Sequence, residues 1–120
     1  MQTFKHKRFS QWAKDESITD ATLKTAVDEL AKGLFEANLG GGLYKKRVPR
    51  SGQGKRGAYR TLVAFKQNHR SVFAFGFAKS ERVNISATEK EIYKRLANHY
   101  LNATEDGIKQ LLKIGELIEV

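Results

Sequence analysis

GAYRTLVAFKQNHRSVFAFGF, the sequence of residues 57–77, contains two runs that are typical of β-strands. GAYRTLVAF (57–65) is rich in β-forming residues, and SVFAFGF (71–77) is apolar and aromatic, as a well-covered strand would be. A third run, GLYKKRV (42–48), precedes them. Because the linkers between the runs are short and rich in turn-forming residues, we expect the three strands to form an antiparallel meander.

Helical patterns lie on both sides of this meander. Before it, apolar residues recur at helical intervals over residues 9–13 and again over residues 19–35. After it, the S-x-x-E sequence of residues 86–89 is a capping box that starts a helix. A second short helix is predicted from about Thr104, and Gly115 is a natural C-terminal stop for it.

The order of these elements indicates an α+β fold. We expect TFK (3–5) to form a short strand and the tail ELIEV (116–120) to add a last edge strand. We expect one domain, residues 1–120, in which a small antiparallel sheet of three to five strands carries N-terminal helices packed on it and C-terminal helices.

The excess charge of the chain is concentrated in its middle third. The sequence has 22 Lys and Arg against 13 Asp and Glu, a net charge of +9 at pH 7. Ten of these basic residues, and no acidic residue, lie between Glu36 and Glu81. A patch of one sign attracts polyanions, and nucleic acid is the usual partner of such a patch. A surface kept basic only for solubility would be expected to mix both signs.

The composition argues against several other classes of protein. The absence of Cys excludes a disulfide framework and fits a reducing cytoplasm. No run approaches the roughly 18 apolar residues of a membrane span, and the basic N-terminus lacks the apolar segment of a secretory signal. The three His residues are far apart and show no ligand spacing. We therefore expect a cytoplasmic protein with no membrane partner, no metal and no cofactor.

The basic residues of the predicted meander fall into a pattern. Lys45 and Arg47 are two residues apart on one strand, so they face the same side of the sheet, and Lys46 faces the other. Arg60 lies on the next strand. We expect Lys45, Arg47 and Arg60, rimmed by the glycine-rich basic loop at residues 49–56, to form a surface that is suited to several phosphates.

Such a surface is also suited to cleaving RNA without a metal. The 2′-hydroxyl of RNA can attack the adjacent phosphate if its proton is removed and the 5′-oxygen is protonated. Arg matches the phosphate oxygens and stabilises the charge that develops, and a crowded Lys can transfer protons. From the residues alone, binding of nucleic acid is favoured over cleavage.

Two long segments carry a resemblance to a known family. GLYKKRVPRSGQGKRGAYRTLVAF (42–65) followed by SVFAFGFAKSERVNIS (71–86) resembles the RelE-like toxins of bacterial toxin–antitoxin modules, in the RelE/ParE superfamily. The similarity covers roughly residues 42–120, and the helical N-terminal third fits the same architecture. The resemblance implies a ribosome-dependent mRNA endonuclease that cleaves by metal-free 2′-hydroxyl attack. It also implies an antitoxin partner, commonly a helix-turn-helix protein.

The resemblance also assigns roles to individual residues. The positions that match the family's catalytic set are Lys45 and Arg47 for proton transfer and phosphate contact, and Arg60 for stabilising the transition state. Ser80 stands where the best-studied members have a basic residue, so we add the neighbouring Lys79 to the catalytic set; Ser86 stands where they have a stacking tyrosine. Five further basic residues are expected to bind RNA: Lys46, Arg50, Lys55, Arg56 and Arg82.

Two alternatives remain open at this point. One is a toxin of the same fold that inhibits DNA gyrase, as the ParE relatives do. The other is a non-catalytic module that binds RNA or the ribosome through its charge alone.

Overall fold

The computed structural model describes residues 1–50 and 58–120, and strands and helices follow one another through these residues. The described residues form six strands and four helices. In chain order they are β1 (Gln2–His6), α1 (Lys7–Asp15), α2 (Asp20–Ala31), β2 (Ala37–Gly40), β3 (Leu43–Val48), β4 (Tyr59–Lys66), β5 (Arg70–Ala78), α3 (Ala87–Asn102), α4 (Glu105–Lys113) and β6 (Leu117–Glu119).

All six strands belong to one sheet with the order β2-β3-β4-β5-β1-β6. β3, β4 and β5 form the predicted antiparallel meander, and both ends of the chain add strands, as predicted. β1 lies beside β5 and is parallel to it, which is the one parallel pairing among the described strands. The predicted α+β class is confirmed. The sheet has one strand more than the upper limit that we predicted, because β2 gives no recognisable signal in the sequence.

Each face of the sheet is covered by a different pair of helices. α1 and α2 pack on one face, against side chains that include Tyr59, Val63 and Phe73. α3 and α4 pack on the other face, against Leu62 and Val72 among others. The N-terminal and C-terminal helices therefore enclose the sheet from opposite sides, and any functional surface must lie where one pair of helices leaves it open.

α2 is shorter than the apolar pattern predicts. It ends at Ala31, and Leu34 and Phe35 are 55% and 40% exposed. Gly33 adopts a φ of +81°, a conformation that favours glycine and stops the helix. The chain then turns, and the backbone N–H of Glu36 donates to the carbonyl of Lys45 at 2.9 Å, which fixes this segment beside β3.

A β-bulge in β5 sends its aromatic residues to both faces. Leu62 is opposite Phe75, whereas the next residue, Val63, is opposite Phe73, so Ala74 is the extra residue. Phe73 therefore packs under α1 and α2, and Phe75 packs on the side of α3. Simple alternation would have put both rings on one side.

Gly76 marks a close approach between β5 and α1. A Cβ atom at this position would overlap the ring of Trp12. The sequence allows either a bulge or a close approach at this glycine, and the structure shows the close approach.

Candidate nucleic-acid interface

Strand pairing places Lys45, Arg47 and Arg60 on one side of the sheet. Arg47 on β3 lies directly opposite Arg60 on β4, and Lys45 lies opposite Leu62. Residues that are directly opposite in an antiparallel pair point to the same face. We call these three residues the basic face. It is on the side that carries α3, beyond the part of the sheet that the helix covers.

Arg60 has a partner that sequence reasoning did not find. Its side chain is buried, with 6% exposure, and its Nε lies 2.8 Å from Oε2 of Glu36. Glu36 is the last acidic residue before the acid-free stretch, which is the only signal that the sequence offers for this contact. The carboxylate lies at the edge of the basic face and compensates one of its two guanidinium charges.

The other two members of the basic face have different environments. Lys45 is half-buried, and its Nζ donates to Oδ1 of Asn84 at 3.2 Å. Arg47 is exposed and forms no ion pair with any residue in the described ranges. Arg47 is therefore the most accessible cation of this group.

Not all of the predicted RNA-binding residues share this face. Lys46 is buried on the opposite side, where its Nζ lies 2.9 Å from Oε1 of Glu29 on α2. Arg50 lies 5.6 Å from the ring of Tyr59, whose hydroxyl donates to Glu16, after α1. The structure does not bring these two residues to the basic face. Lys55 and Arg56 lie outside the described residues.

Arg82 is held next to the basic face. Its guanidinium donates to both carboxylate oxygens of Glu89, at 3.1 and 2.6 Å. It also lies over the rings of Phe75 and Phe77, at 5.7 and 5.5 Å from their centroids. Phe77 is directly opposite Arg60, so Arg82 is adjacent to the catalytic candidates. Lys79 is exposed in the turn after β5 and makes no ion pair within the described part of the chain.

The acidic partner of Arg82 also starts α3. Ser86 Oγ accepts from the N–H of Glu89 at 3.1 Å, and Glu89 Oε1 accepts from the N–H of Ser86 at 2.9 Å. The predicted capping box is therefore confirmed. The hydrogen bonds from Arg82 and Ser86 lower the pKa of Glu89 to about 2. Ser86 is committed to this cap.

Ser86 stands where the resemblance implies a stacking tyrosine, and an aromatic residue close to the basic face comes from α3 instead. The ring of Tyr93 stacks on Phe75, with 5.2 Å between centroids and 24° between planes. Tyr93 is half-buried, and burial raises the pKa of its hydroxyl. In the sequence it shares a helical stripe with Tyr100, which is fully buried, so spacing predicts both as core. Only the tertiary packing shows that Tyr93 lies at the margin of the core.

The described residues concentrate cations on the basic face but contain no side-chain cluster suited to a metal ion. Within residues 1–50 and 58–120, no three His, Asp or Glu side chains are clustered as metal ligands would be. Nor does any helix in those ranges have the length and apolar character needed to cross a membrane. The arrangement offers two guanidinium groups and one ammonium group to phosphate oxygens, flanked by aromatic rings.

Comparison with known proteins assigns the chain to a family. The family described as the RelE toxin of the RelE/RelB toxin–antitoxin system matches residues 1–120. A comparison with curated proteins finds no match. The family match covers the whole sequence given, including both helical ends and the strands that carry the basic face. The chain belongs to the RelE toxin family of RelE/RelB toxin–antitoxin systems.

Proposed function

We propose that this toxin is a ribosome-dependent endonuclease that cleaves mRNA in the cytoplasm without a metal ion. The observation that carries the proposal is the strand register that puts Lys45, Arg47 and Arg60 on one face. Membership of the RelE toxin family supports it.

In this proposal the chemistry is an internal transfer at phosphorus. The 2′-oxygen of one nucleotide forms a bond to the adjacent phosphorus, and the bond from phosphorus to the 5′-oxygen breaks. The 2′-hydroxyl loses its proton, the leaving 5′-oxygen gains one, and a 2′,3′-cyclic phosphate results. The Lys45 ammonium donates a proton to the leaving 5′-oxygen, and solvent takes the proton of the 2′-hydroxyl. The hydrogen bond from Lys45 to Asn84 fixes the position of its Nζ.

The two arginines stabilise the charge that develops on the phosphate. Arg47 is exposed and makes the first contact. Arg60 uses its Nε for Glu36, so its two terminal nitrogens are the atoms that would meet the phosphate oxygens. Because Arg60 is only 6% exposed, neighbouring side chains must move for a phosphate to reach it fully. Lys79 and Arg82 bind the RNA strand next to the basic face.

An antitoxin is the second proposed partner. The family is defined by a toxin–antitoxin pair, and we propose that a helix-turn-helix antitoxin keeps this toxin inactive. The net charge of +9 favours a partner surface that is acidic.

The proposal is tested by mapping mRNA 5′ ends after induced expression. Wild type should arrest growth and produce new 5′ ends inside translated codons. Arg60→Ala and Arg47→Ala should each lower cleavage by about 10²–10³-fold, as loss of a donor to a developing charge does. Arg47 is exposed, so its loss should leave folding intact even if Arg60→Ala is destabilised. Lys66→Ala removes an exposed charge at the other end of β4 and should cleave normally.

The same experiment separates the alternatives. Growth arrest without new 5′ ends would overturn the proposal and favour gyrase inhibition. New ends that persist in both arginine variants would overturn the assignment of the basic face. RNA binding without cleavage, with effects that add up over many basic residues, would identify a non-catalytic module.

A further inference from the structure

A cleft of about 490 Å³ opens beside β5, between α1 and α3. We call it the β5 cleft. Its walls include Lys7, Arg8 and Trp12 from α1, Phe75 from β5, and Tyr93 and Leu96 from α3. Its volume is in the range of sites that bind small molecules.

The cleft follows from the way the sheet is built. β1 pairs with β5 only at residues 70–73, and then the chain leaves the sheet and becomes α1. Beyond that point β5 has no strand on this side among the described residues. α1 crosses one face, where Trp12 covers Gly76, and α3 crosses the other, where Tyr93 covers Phe75. The open edge is thus enclosed by aromatic side chains from two helices.

The cleft combines these rings with positive charge. Lys7 and Arg8 are exposed, and neither forms an ion pair within residues 1–50 and 58–120. The carboxylate in the lining is Glu116, and its Oε2 accepts a hydrogen bond from the Tyr100 hydroxyl at 2.9 Å. An aromatic wall beside free cations matches a nucleotide, whose base stacks and whose phosphate is attracted.

The cleft is also continuous with the basic face. The ring of Phe75 lines the cleft and lies 6.0 Å from the ring of Phe77. Phe77 is opposite Arg60, and Arg82 lies over both rings. An RNA strand that crosses the basic face therefore reaches the cleft by passing over adjacent side chains.

We propose that the β5 cleft is a nucleotide subsite for the bound RNA strand, in which a base stacks against the Phe75–Tyr93 wall and a phosphate contacts Lys7 and Arg8. This inference rests on the proposed function, because the proposed function places the RNA strand on the basic face. It extends the RNA-binding surface to α1, which the acid-free middle of the sequence does not include.

The test is binding of non-cleavable, 2′-O-methylated RNA of three to nine nucleotides to the full chain. Fluorescence anisotropy gives affinity, and the fluorescence of Trp12, the single tryptophan, reports occupancy of the cleft. Longer strands should quench Trp12 and bind more tightly than the shortest. The double substitution Lys7→Ser with Arg8→Ser should weaken the longer strands by about tenfold or more and reduce the salt dependence of binding. Tyr93→Leu should weaken the same strands by a similar factor.

Several controls make the outcome decisive. Lys14→Ser, an exposed charge in the last turn of α1, should bind every length as wild type does. Arg47→Ala should weaken short and long strands alike. Normal RNA binding that is indifferent to the Lys7, Arg8 and Tyr93 substitutions would overturn the subsite alone. The absence of RNA binding at any length would overturn the subsite, whereas the proposed function is decided separately by the mapping of mRNA 5′ ends. If adenosine monophosphate quenches Trp12 and RNA affinity does not depend on strand length, the cleft is a site for free nucleotides. That result would also overturn the proposed subsite.

Discussion

Glu36 holds Arg60 through an ion pair of 2.8 Å, and the backbone of Glu36 is itself held by the carbonyl of Lys45. The two contacts join the loop before β2 to β3 and β4, the two strands that carry the basic face. Arg60 is therefore fixed at its Nε by a residue that does not itself lie in the meander. Such a contact orients the guanidinium and reduces the net charge of the basic face.

Replacing Glu36 should affect cleavage more than RNA binding. Glu36→Ala removes the group that orients Arg60, and a misplacement of about 1 Å can lower a rate by about 10²-fold. Glu36→Gln should lose less, because its amide oxygen keeps a polar acceptor beside Nε of Arg60. Both substitutions remove a negative charge from the surface, so affinity for RNA should stay equal or rise. Single-turnover cleavage on programmed ribosomes gives the rate, and anisotropy gives the affinity.

The contrast between rate and affinity is what identifies a positioning role. Thermal unfolding of both variants should accompany the measurements, because Glu36→Ala leaves a buried guanidinium without its carboxylate. If rate and affinity fall by the same factor as the fraction of folded protein, Glu36 has a structural role only.

Adjacent lysines on β3 should behave differently. Lys45→Met should lower RNA affinity and reduce the salt slope by about one phosphate contact, because Lys45 is on the basic face. Lys46→Met should leave the slope unchanged, because Lys46 is buried beneath α2 and paired with Glu29. Each substitution removes one charge, so the pair is matched. Titrations at several salt concentrations provide the measurement, and equal slopes for the two variants would contradict the assignment of faces.

The sequence predicts the strands and helices better than it predicts the contacts between residues that are distant in the chain. β3, β4, β5 and the capped helix α3 have local signals, because alternation, turn residues and the capping box act over a few positions. β2 is four residues long and has no such signal. The end of α2 is also hidden, because Leu34 and Phe35 continue the apolar pattern although they lie outside the helix and are exposed.

The candidate site divides in the same way. The shared face of Lys45 and Arg47 follows from a spacing of two residues, and pairing with the next strand adds Arg60. The contacts with Glu36 and Glu29 join residues that are distant in sequence, so no local pattern reveals them. No local pattern reveals the bulge at Ala74 either. This bulge turns Phe75 and Phe77 to the side where Arg82 lies.

Acidification should show the contribution of Glu89. Its pKa is about 2 in the folded protein against a usual value of 4.5, because Arg82 and Ser86 donate to its carboxylate. A lowered pKa means that the ionised group stabilises the fold above pH 4.5 and that this contribution is lost as the pH falls towards 2. Glu89→Gln should therefore be less stable than wild type at pH 6, and the difference should shrink steadily below pH 4.5.

Urea unfolding at several pH values measures this difference. Glu91→Gln is the control, because Glu91 is an exposed neighbour whose nearest cation, Lys94, is 3.9 Å away. It should follow the wild-type curve. A difference between wild type and Glu89→Gln that is constant from pH 6 to pH 2 would show that the charge of Glu89 does not stabilise the fold.

Arg70 belongs to the acid-free stretch but should contribute to stability and not to RNA binding. It is 1% exposed, and its Nη1 donates to the carbonyls of Tyr100 and Ala103, both at 2.8 Å. These bonds join β5 to the end of α3. Arg70→Met should lower the free energy of unfolding by about 3–5 kcal/mol, because it leaves both carbonyls without this donor. Arg70→Lys should recover only part, since an ammonium lacks the planar fork.

The control for Arg70 is its acidic partner. Nη2 of Arg70 lies 3.0 Å from Oε1 of Glu105, whose side chain is 63% exposed, so Glu105→Gln should have a much smaller effect. Urea unfolding compares the three variants, and RNA affinity is measured under conditions where each is folded. A folded Arg70→Met protein with a reduced salt slope would place Arg70 in the RNA site. An unchanged slope with a large loss of stability would separate the structural cation from those of the basic face.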